Sequence, residues 1–338
     1  VTLPVGTTSI IKTEATGGAG SQVVSISAIE SAGSILVDGN SLLTFASPNP
    51  DLKYFQVGDK VGGVNSGFNP VIYTGNGMAQ SIDCGFSPDL VWIKDRTDGQ
   101  DHALFDTIRG VTEELSSNTT AAQATSSTSL TSFDSDGFTV SSAYATGKQG
   151  DDYVAWCWDA GDTTVTNNDG TIATQVRSNG NFSVVKYQGT GSNSTVGHGL
   201  NAAPAFYIVK NLVADTTNWQ VYHSALGATY YGALNTADAF TTSGGTSRWN
   251  DTPPTSSVFS IGTSSTVNAN DLIAYAWAET AGVSSFGEYT GAANLKITTG
   301  FKPAFVMIKC SSESNFDWVI VDSARGNEPD GVSNKLYP

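Results

Sequence analysis

The chain has 338 residues, enough for two or three domains that each bury a core of their own. Sixteen basic against thirty-one acidic residues leave a net charge of -15, which repels phosphate backbones and anionic headgroups and argues against nucleic acid as a partner. Only 14% of residues are charged and 36 are Gly, a composition that favours short strands and tight turns over long surface helices. No apolar run approaches the roughly 20 residues that span a bilayer, so membrane insertion is not expected. The chain opens at Val1 with no charged-then-apolar leader, which reads as a processed end or a start within a longer product.

Residues 1–69 show alternating runs, Gln22-Val-Val-Ser-Ile-Ser27 and Ser34-Ile-Leu-Val37, with turn residues at Asp38-Gly-Asn40. A separate small β-barrel or β-sandwich is expected there. Its Phe55-Gln-Val-Gly-Asp59-Lys-Val61 segment reads as a turn into a strand, and the domain as a docking module.

From residue 70 the chain repeats itself. Tyr73-Thr-Gly75, Gly85-Phe-Ser-Pro88-Asp-Leu-Val-Trp-Ile-Lys94 and His102-Ala-Leu-Phe-Asp106-Thr-Ile-Arg109-Gly110 form the front of a first copy. Tyr187-Gln-Gly189, Pro204-Ala-Phe-Tyr-Ile-Val-Lys210 and Trp219-Gln-Val-Tyr-His223-Ser-Ala-Leu226-Gly227 form that of a second. Tyr289-Thr-Gly291, Gly300-Phe-Lys-Pro303-Ala-Phe-Val-Met-Ile-Lys309 and Trp318-Val-Ile-Val-Asp322-Ser-Ala-Arg325-Gly326 form that of a third. A rear half recurs only twice, as Phe138-Thr-Val-Ser with Asp152-Tyr-Val-Ala-Trp-Cys-Trp158 and as Phe259-Ser-Ile-Gly with Asp271-Leu-Ile-Ala-Tyr-Ala-Trp277. The spacing is that of whole domains rather than a short-period solenoid.

The predicted fold is therefore all-β: the small N-terminal β-domain, two complete copies of a jelly-roll-like β-sandwich at 70–161 and 182–282, and a partial copy at 283–338. Strands are expected at 90–94, 205–210 and 304–309 and again at 103–106, 220–223 and 318–321. The unbroken apolar character of Phe206-Tyr-Ile-Val and Phe305-Val-Met-Ile implies strands covered on both faces. Residues 162–181 read as a polar connection able to bend. The partial copy would expose apolar runs and strand edges, so its rear half is expected from a neighbouring subunit or from further polypeptide.

These motifs, with Phe133-Asp-Ser-Asp-Gly-Phe138, resemble a repeated domain of long structural and tail-fibre-like proteins of marine tailed phages, including those that infect cyanobacteria. The resemblance covers about residues 70–338 and implies virion or extracellular localisation, with other virion subunits as partners and homo-oligomer formation. It implies little chemistry, since such domains serve architecture or host attachment.

No catalytic motif stands out: there is no phosphate-cradling Gly loop and no Gly-x-Ser-x-Gly elbow. Cys84, Cys157 and Cys310 fall at unlike positions of the repeat and read as free thiols. His102, His198 and His223 align with Trp, Thr or Asp elsewhere, which argues against a shared metal site or general base. The pairs Asp106 with Arg109 and Asp322 with Arg325 read as charge-assisted turns, absent from copy two, where His223 and Leu226 stand instead. Asp134-Ser-Asp136-Gly137 and Asn167-Asn-Asp169-Gly170 are oxygen-rich but lack the spacing of a calcium loop, so no metal and no cofactor is expected. Tyr144, Tyr230, Tyr231 and Trp249 sit in polar loops and are the candidates for stacking on a host surface glycan. The expected function is thus a non-enzymatic virion structural protein, part of a tail fibre or surface appendage. A receptor-binding or lectin-like adhesin and an extracellular filament subunit are the alternatives. A polysaccharide depolymerase stays open as well, since a carboxylate pair such as Asp151 and Asp152 beside a distant Glu leaves no linear trace.

Overall fold

Short runs of β-branched and aromatic residues, punctuated by Gly and Asn, pair into antiparallel sheets along the chain. The computed structural model describes residues 67–292, 295–325 and 336–338, together with four short strands among the first 66 residues. Two compact units divide after Ser66. In the first, the strands are β1 (Gln22–Val24), β2 (Ile29–Ser31), β3 (Ser34–Leu36) and β4 (Leu43–Phe45). β1 pairs with β4 and β2 with β3. The turn expected at 38–40 and the strand expected at 55–61 lie outside the described residues.

The second unit begins with copy one: β5 (Phe68–Thr74), β6 (Gln80–Asp83), β7 (Leu90–Asp95), β8 (Ala103–Asp106), β9 (Glu113–Glu114), β10 (Ala124–Thr125), β11 (Leu130–Phe133), β12 (Gly137–Val140) and β13 (Asp152–Trp158). One sheet runs β5-β13-β7-β8 and the other β11-β12-β6. First and last strands share one sheet while second and penultimate share the other, which is the wrapping of a jelly roll. Close approach at β12 requires glycine, since a Cβ on Gly137 would lie 1.9 Å from the Ile82 carbonyl oxygen on β6.

Copy two repeats this order. Its elements are β14 (Val165–Asn167), β15 (Thr174–Ser178), β16 (Phe182–Gln188), β17 (Ser194–Gly197), β18 (Pro204–Asn211), β19 (Gln220–His223), β20 (Gly232–Ala233), α1 (Gly245–Trp249), β21 (Val258–Ile261), α2 (Ser265–Asn268) and β22 (Asp271–Ala278). Within its sheet, β16-β22-β18-β19 matches β5-β13-β7-β8, and the pair β17-β21 matches β6-β12. The expected flexible connection is a correction: β14 and β15 extend this sheet at its edge. The polar surface of the segment hides an alternation in which Thr174 and Val176 turn inward, the signature of a half-buried strand. Arg177 on β15 also pairs with buried Asp89 of copy one at 2.6 Å.

Copy three contributes one hairpin, β23 (Phe305–Ile308) with β24 (Val319–Asp322). Its register repeats the others: Phe305 faces Asp322 as Leu90 faces Asp106 and Phe206 faces His223.

Strand faces explain the unbroken apolar runs. Val91 and Ile93 on β7 pack outward against Ile82, Phe138 and Tyr153, and Tyr207 and Val209 on β18 pack outward against Trp249 and Phe259. The intervening residues Leu90, Trp92, Phe206 and Ile208 point the other way, into one cluster shared by all three copies with Trp156, Trp219, Tyr275, Trp318 and Ile320. The apolar runs of copy three, expected to be exposed, are covered on the inner face of the hairpin. Trp318 and Ile320 are buried against copies one and two, while Val306 and Ile308 on the outer face of β23 stay exposed.

A shared core makes a local cavity a property of the whole unit. Ile208→Ala should cost about 2–5 kcal/mol and lower amide protection in β7 and β13 of copy one by the same free energy as in β18. Hydrogen exchange with site resolution measures this, and a loss confined to copy two would contradict the single core.

Candidate functional site

The polar side chains that reach the shared core tie the copies to one another in a repeating way. Trp219 of copy two donates its indole N–H to the Ser116 carbonyl of copy one at 2.9 Å. Trp318 of copy three donates to the Ala233 carbonyl of copy two at 2.9 Å. His102 of copy one stands 2.9 Å from the Tyr337 carbonyl of copy three and closes the cycle. The acceptors are equivalent: each follows the residue that bridges the same strand position, Leu115 to Leu104, Gly232 to Val221 and Leu336 to Ile320.

His102 replaces Trp at its position, and its neighbours fix its tautomer. Trp92 donates its indole N–H to Nδ1 at 2.7 Å, so Nε2 carries the proton that Tyr337 accepts. A second proton would oppose two N–H groups. Burial, reinforced by Lys94, pushes the imidazole down to about 3.

A second set of ties uses the aromatic at the centre of each last strand, Trp156 opposite Trp92 and Tyr275 opposite Ile208. Tyr275 of copy two donates to Asp106 of copy one at 2.7 Å, and Trp156 of copy one donates to Asp322 of copy three at 2.9 Å. Both acceptors belong to the Asp and Arg turns read from the sequence. Arg109 pairs with Asp106 at 2.5 Å and Arg325 with Asp322 at 2.6 Å, all four side chains almost fully buried. Arg109 also donates to the carbonyls of Leu104 and Glu113, and the Asp106 carboxylate takes the backbone N–H groups of Ile108 and Arg109. Such pairs are tolerable in an apolar core because their hydrogen-bonding capacity is met. Gly110, at φ +105°, closes the first turn in a conformation that L side chains rarely adopt.

The lysines of the third strand in copies two and three supply another tie, whereas Lys94 of copy one bonds the carbonyls of Asp95 and Gln100 in its own copy. Buried Lys210 donates to the carbonyls of Thr120 in copy one at 2.8 Å and Thr217 in its own copy at 2.6 Å. Burial lowers it to about 8. Lys309 reaches the carbonyls of Thr236 in copy two and Phe316 in its own. Main-chain bonds follow the same path, Gln123 N–H to Leu212 and Phe240 N–H to Ser311. The lysines were visible in sequence as anchors of the repeat, but nothing in one strand shows that its ammonium crosses to another copy.

The proposed glycan contacts separate. Tyr144 and Tyr230 are exposed, at 63% and 38%, while Tyr231 lies under the Arg248 guanidinium at 4.6 Å. Trp249 is a correction: it is fully buried against Tyr207 and Tyr222, because its position ends α1 on the inward side. In the oxygen-rich turns, Asp134 accepts from Ser132 and Thr139, and Asn167 closes an Asx turn onto the Asp169 N–H. Asp95, Asp98 and Asp151 place oxygens within 4.8 Å of one another, the one group of metal-ligand type among the described residues. Lys148 lies at 2.5 Å from Asp98 and 2.9 Å from Asp151, so an ammonium already pairs with two of the three carboxylates. Asp152 accepts from Thr74. Cys84, Cys157 and Cys310 are free, and burial pushes the Cys157 thiol up. His198 is buried and His223 half-buried, and each ring takes a backbone N–H from its own turn.

The three copies fall within a single family model, a domain of unknown function, DUF7483, that matches residues 65–338. The chain belongs to the DUF7483 family. No curated protein and no solved structure matches it. The DUF7483 match begins beside the boundary of the second compact unit and treats copies one to three as one domain, as their shared core does.

His102 makes stability depend on pH in a stated direction. Its pKa is lower folded than the ordinary 6.5, so the unfolded state binds more protons between pH 6.5 and about 3, and stability falls as pH falls through that window. Denaturant unfolding should show about 2 kcal/mol more loss between pH 7.5 and 5 in the native chain than in His102→Trp, which restores the aromatic donor of the other copies. Equal losses would show that His102 is not held neutral.

Proposed function

We propose that this protein is a non-enzymatic structural element of a virion appendage such as a tail fibre, extending an assembly or host-contact surface. The observation that carries the reading is the cycle of buried ties. The Asp, Arg, His and Lys side chains that would serve a reaction centre are spent in the shared core, holding two sandwiches and a hairpin together. A unit stapled in this way resists deformation, as a fibre segment must, and the acidic surface, with its net charge of -15, keeps crowded copies soluble. The resemblance of residues 70–338 to repeated domains of marine phage fibres supports that location.

A host-contact role on the same unit is favoured by one further observation, the exposure of Tyr144 and Tyr230 on loops. Exposed phenol rings stack on sugar faces while neighbouring hydroxyls bond the sugar.

Antibodies raised against residues 67–338 should decorate a tail appendage of purified virions in electron micrographs; label found only on cellular filaments or in the soluble fraction would contradict the reading. On a glycan array the host-contact role predicts binding that falls at least about tenfold in Tyr144→Ala or Tyr230→Ala, and no binding by the native chain would remove it.

A further inference from the structure

Copies one and two cover both faces of their third strand, and copy three does not. Val91 and Ile93 of copy one and Tyr207 and Val209 of copy two are wholly buried beneath an outer layer. At the matching places on β23, Val306 is 37% exposed and Ile308 38%. The lateral edge of β23 differs in the same way. β7 is flanked by β13 and β8, and β18 by β22 and β19, whereas among the described residues β23 pairs with β24 alone. An apolar face beside a free strand edge is a template for an added strand.

We propose that the open edge and outer face of β23 dock an extended apolar segment of a partner polypeptide, which adds antiparallel to β23 as β13 adds to β7 and β22 to β18. The two internal copies show the occupant's pattern, apolar residues at successive positions with Ala at the centre: Tyr153-Val-Ala-Trp-Cys-Trp158 and Leu272-Ile-Ala-Tyr-Ala-Trp277. Neither β13 nor β22 of a second copy is free to take this place, since each is paired on both sides within its own sheet. The seat is continuous with the contact among the copies. Phe305 at its start packs against Phe68, Trp156 and Trp158 of copy one.

One position of the occupant is set by the cycle of ties. Tyr275 of copy two serves the turn of copy one, and Trp156 of copy one serves the turn of copy three. The strand docked on β23 would present its equivalent residue to the turn of copy two, which carries His223 and Leu226 in place of Asp and Arg. Phe286 lies against both Phe206 and His223 there. The turn itself has no carboxylate to receive an indole or phenol hydrogen, and Glu288 beside His223 is exposed, so the partner brings an aliphatic side chain at this place. The inference concerns assembly and holds whether or not the protein resides in a virion.

The probe is a synthetic peptide with the sequence of residues 269–280 and the substitution Tyr275→Leu, added to the full chain, with a scrambled peptide as control. Amide exchange at residues 305–309 should slow at least about tenfold with the probe, and the effect should vanish in Ile308→Asp, an exposed position where the fold is retained. Val306→Thr, which keeps the side-chain shape, provides a second weakened variant should Ile308→Asp disturb the hairpin. No slowing, slowing that survives these substitutions, or equal slowing by the scrambled peptide would overturn the proposal. So would protection of the same amides by self-association without peptide in sedimentation, which would make a second copy the occupant.

Discussion

A main-chain carbonyl buried in an apolar core must find a donor or forfeit the desolvation cost of its oxygen. In this protein the carbonyls of Ser116, Ala233 and Tyr337 occupy the same position of each repeat, and each is met by a ring N–H from another copy, Trp219, Trp318 and His102. Because donor and acceptor occupy fixed positions of the repeat, satisfying one bond orients the next copy to satisfy another. The shared core, the direction of the cycle and the burial of the Asp and Arg turns all follow from that geometry.

The departures of one copy from another become intelligible in the same terms. Copy two lacks the Asp and Arg pair that its neighbours keep, and it is the copy whose turn receives no aromatic donor from a last strand among the described residues. A buried carboxylate without that donor would be left with an unmet acceptor, and His223 with Leu226 avoids the cost. Likewise His102 takes the place of Trp in copy one because it must do two things: accept from Trp92 and donate to Tyr337. An indole, donor only, could not do both.

Much of this architecture is legible in the linear chain, because strand periodicity and repeat register are local signals. The strands around Trp92, Ile208 and Met307, and the jelly-roll order of copies one and two, follow from apolar runs, Pro and Gly punctuation and recurrence. The pairing of Asp106 with Arg109 was readable as a turn. What was not readable is where each face goes. The outward burial of Trp249, the entry of residues 174–178 into the sheet of copy two and the burial of Trp318 in a core built by other copies depend on contacts between residues far apart in sequence. Exposed Tyr144 and buried Trp249 look alike as aromatics flanked by polar residues, and only the packing separates them.

The closed cycle among the copies is tested most directly by hydrogen exchange of the indole N–H groups, resolved by NMR across the seven tryptophans. The indole protons of Trp156, Trp219 and Trp318 should exchange only through global unfolding, with one common free energy, while the partly exposed Trp277 exchanges sooner. Exchange of Trp219 or Trp318 as rapid as that of Trp277, or at free energies that differ from copy to copy, would contradict a single unit closed by these bonds.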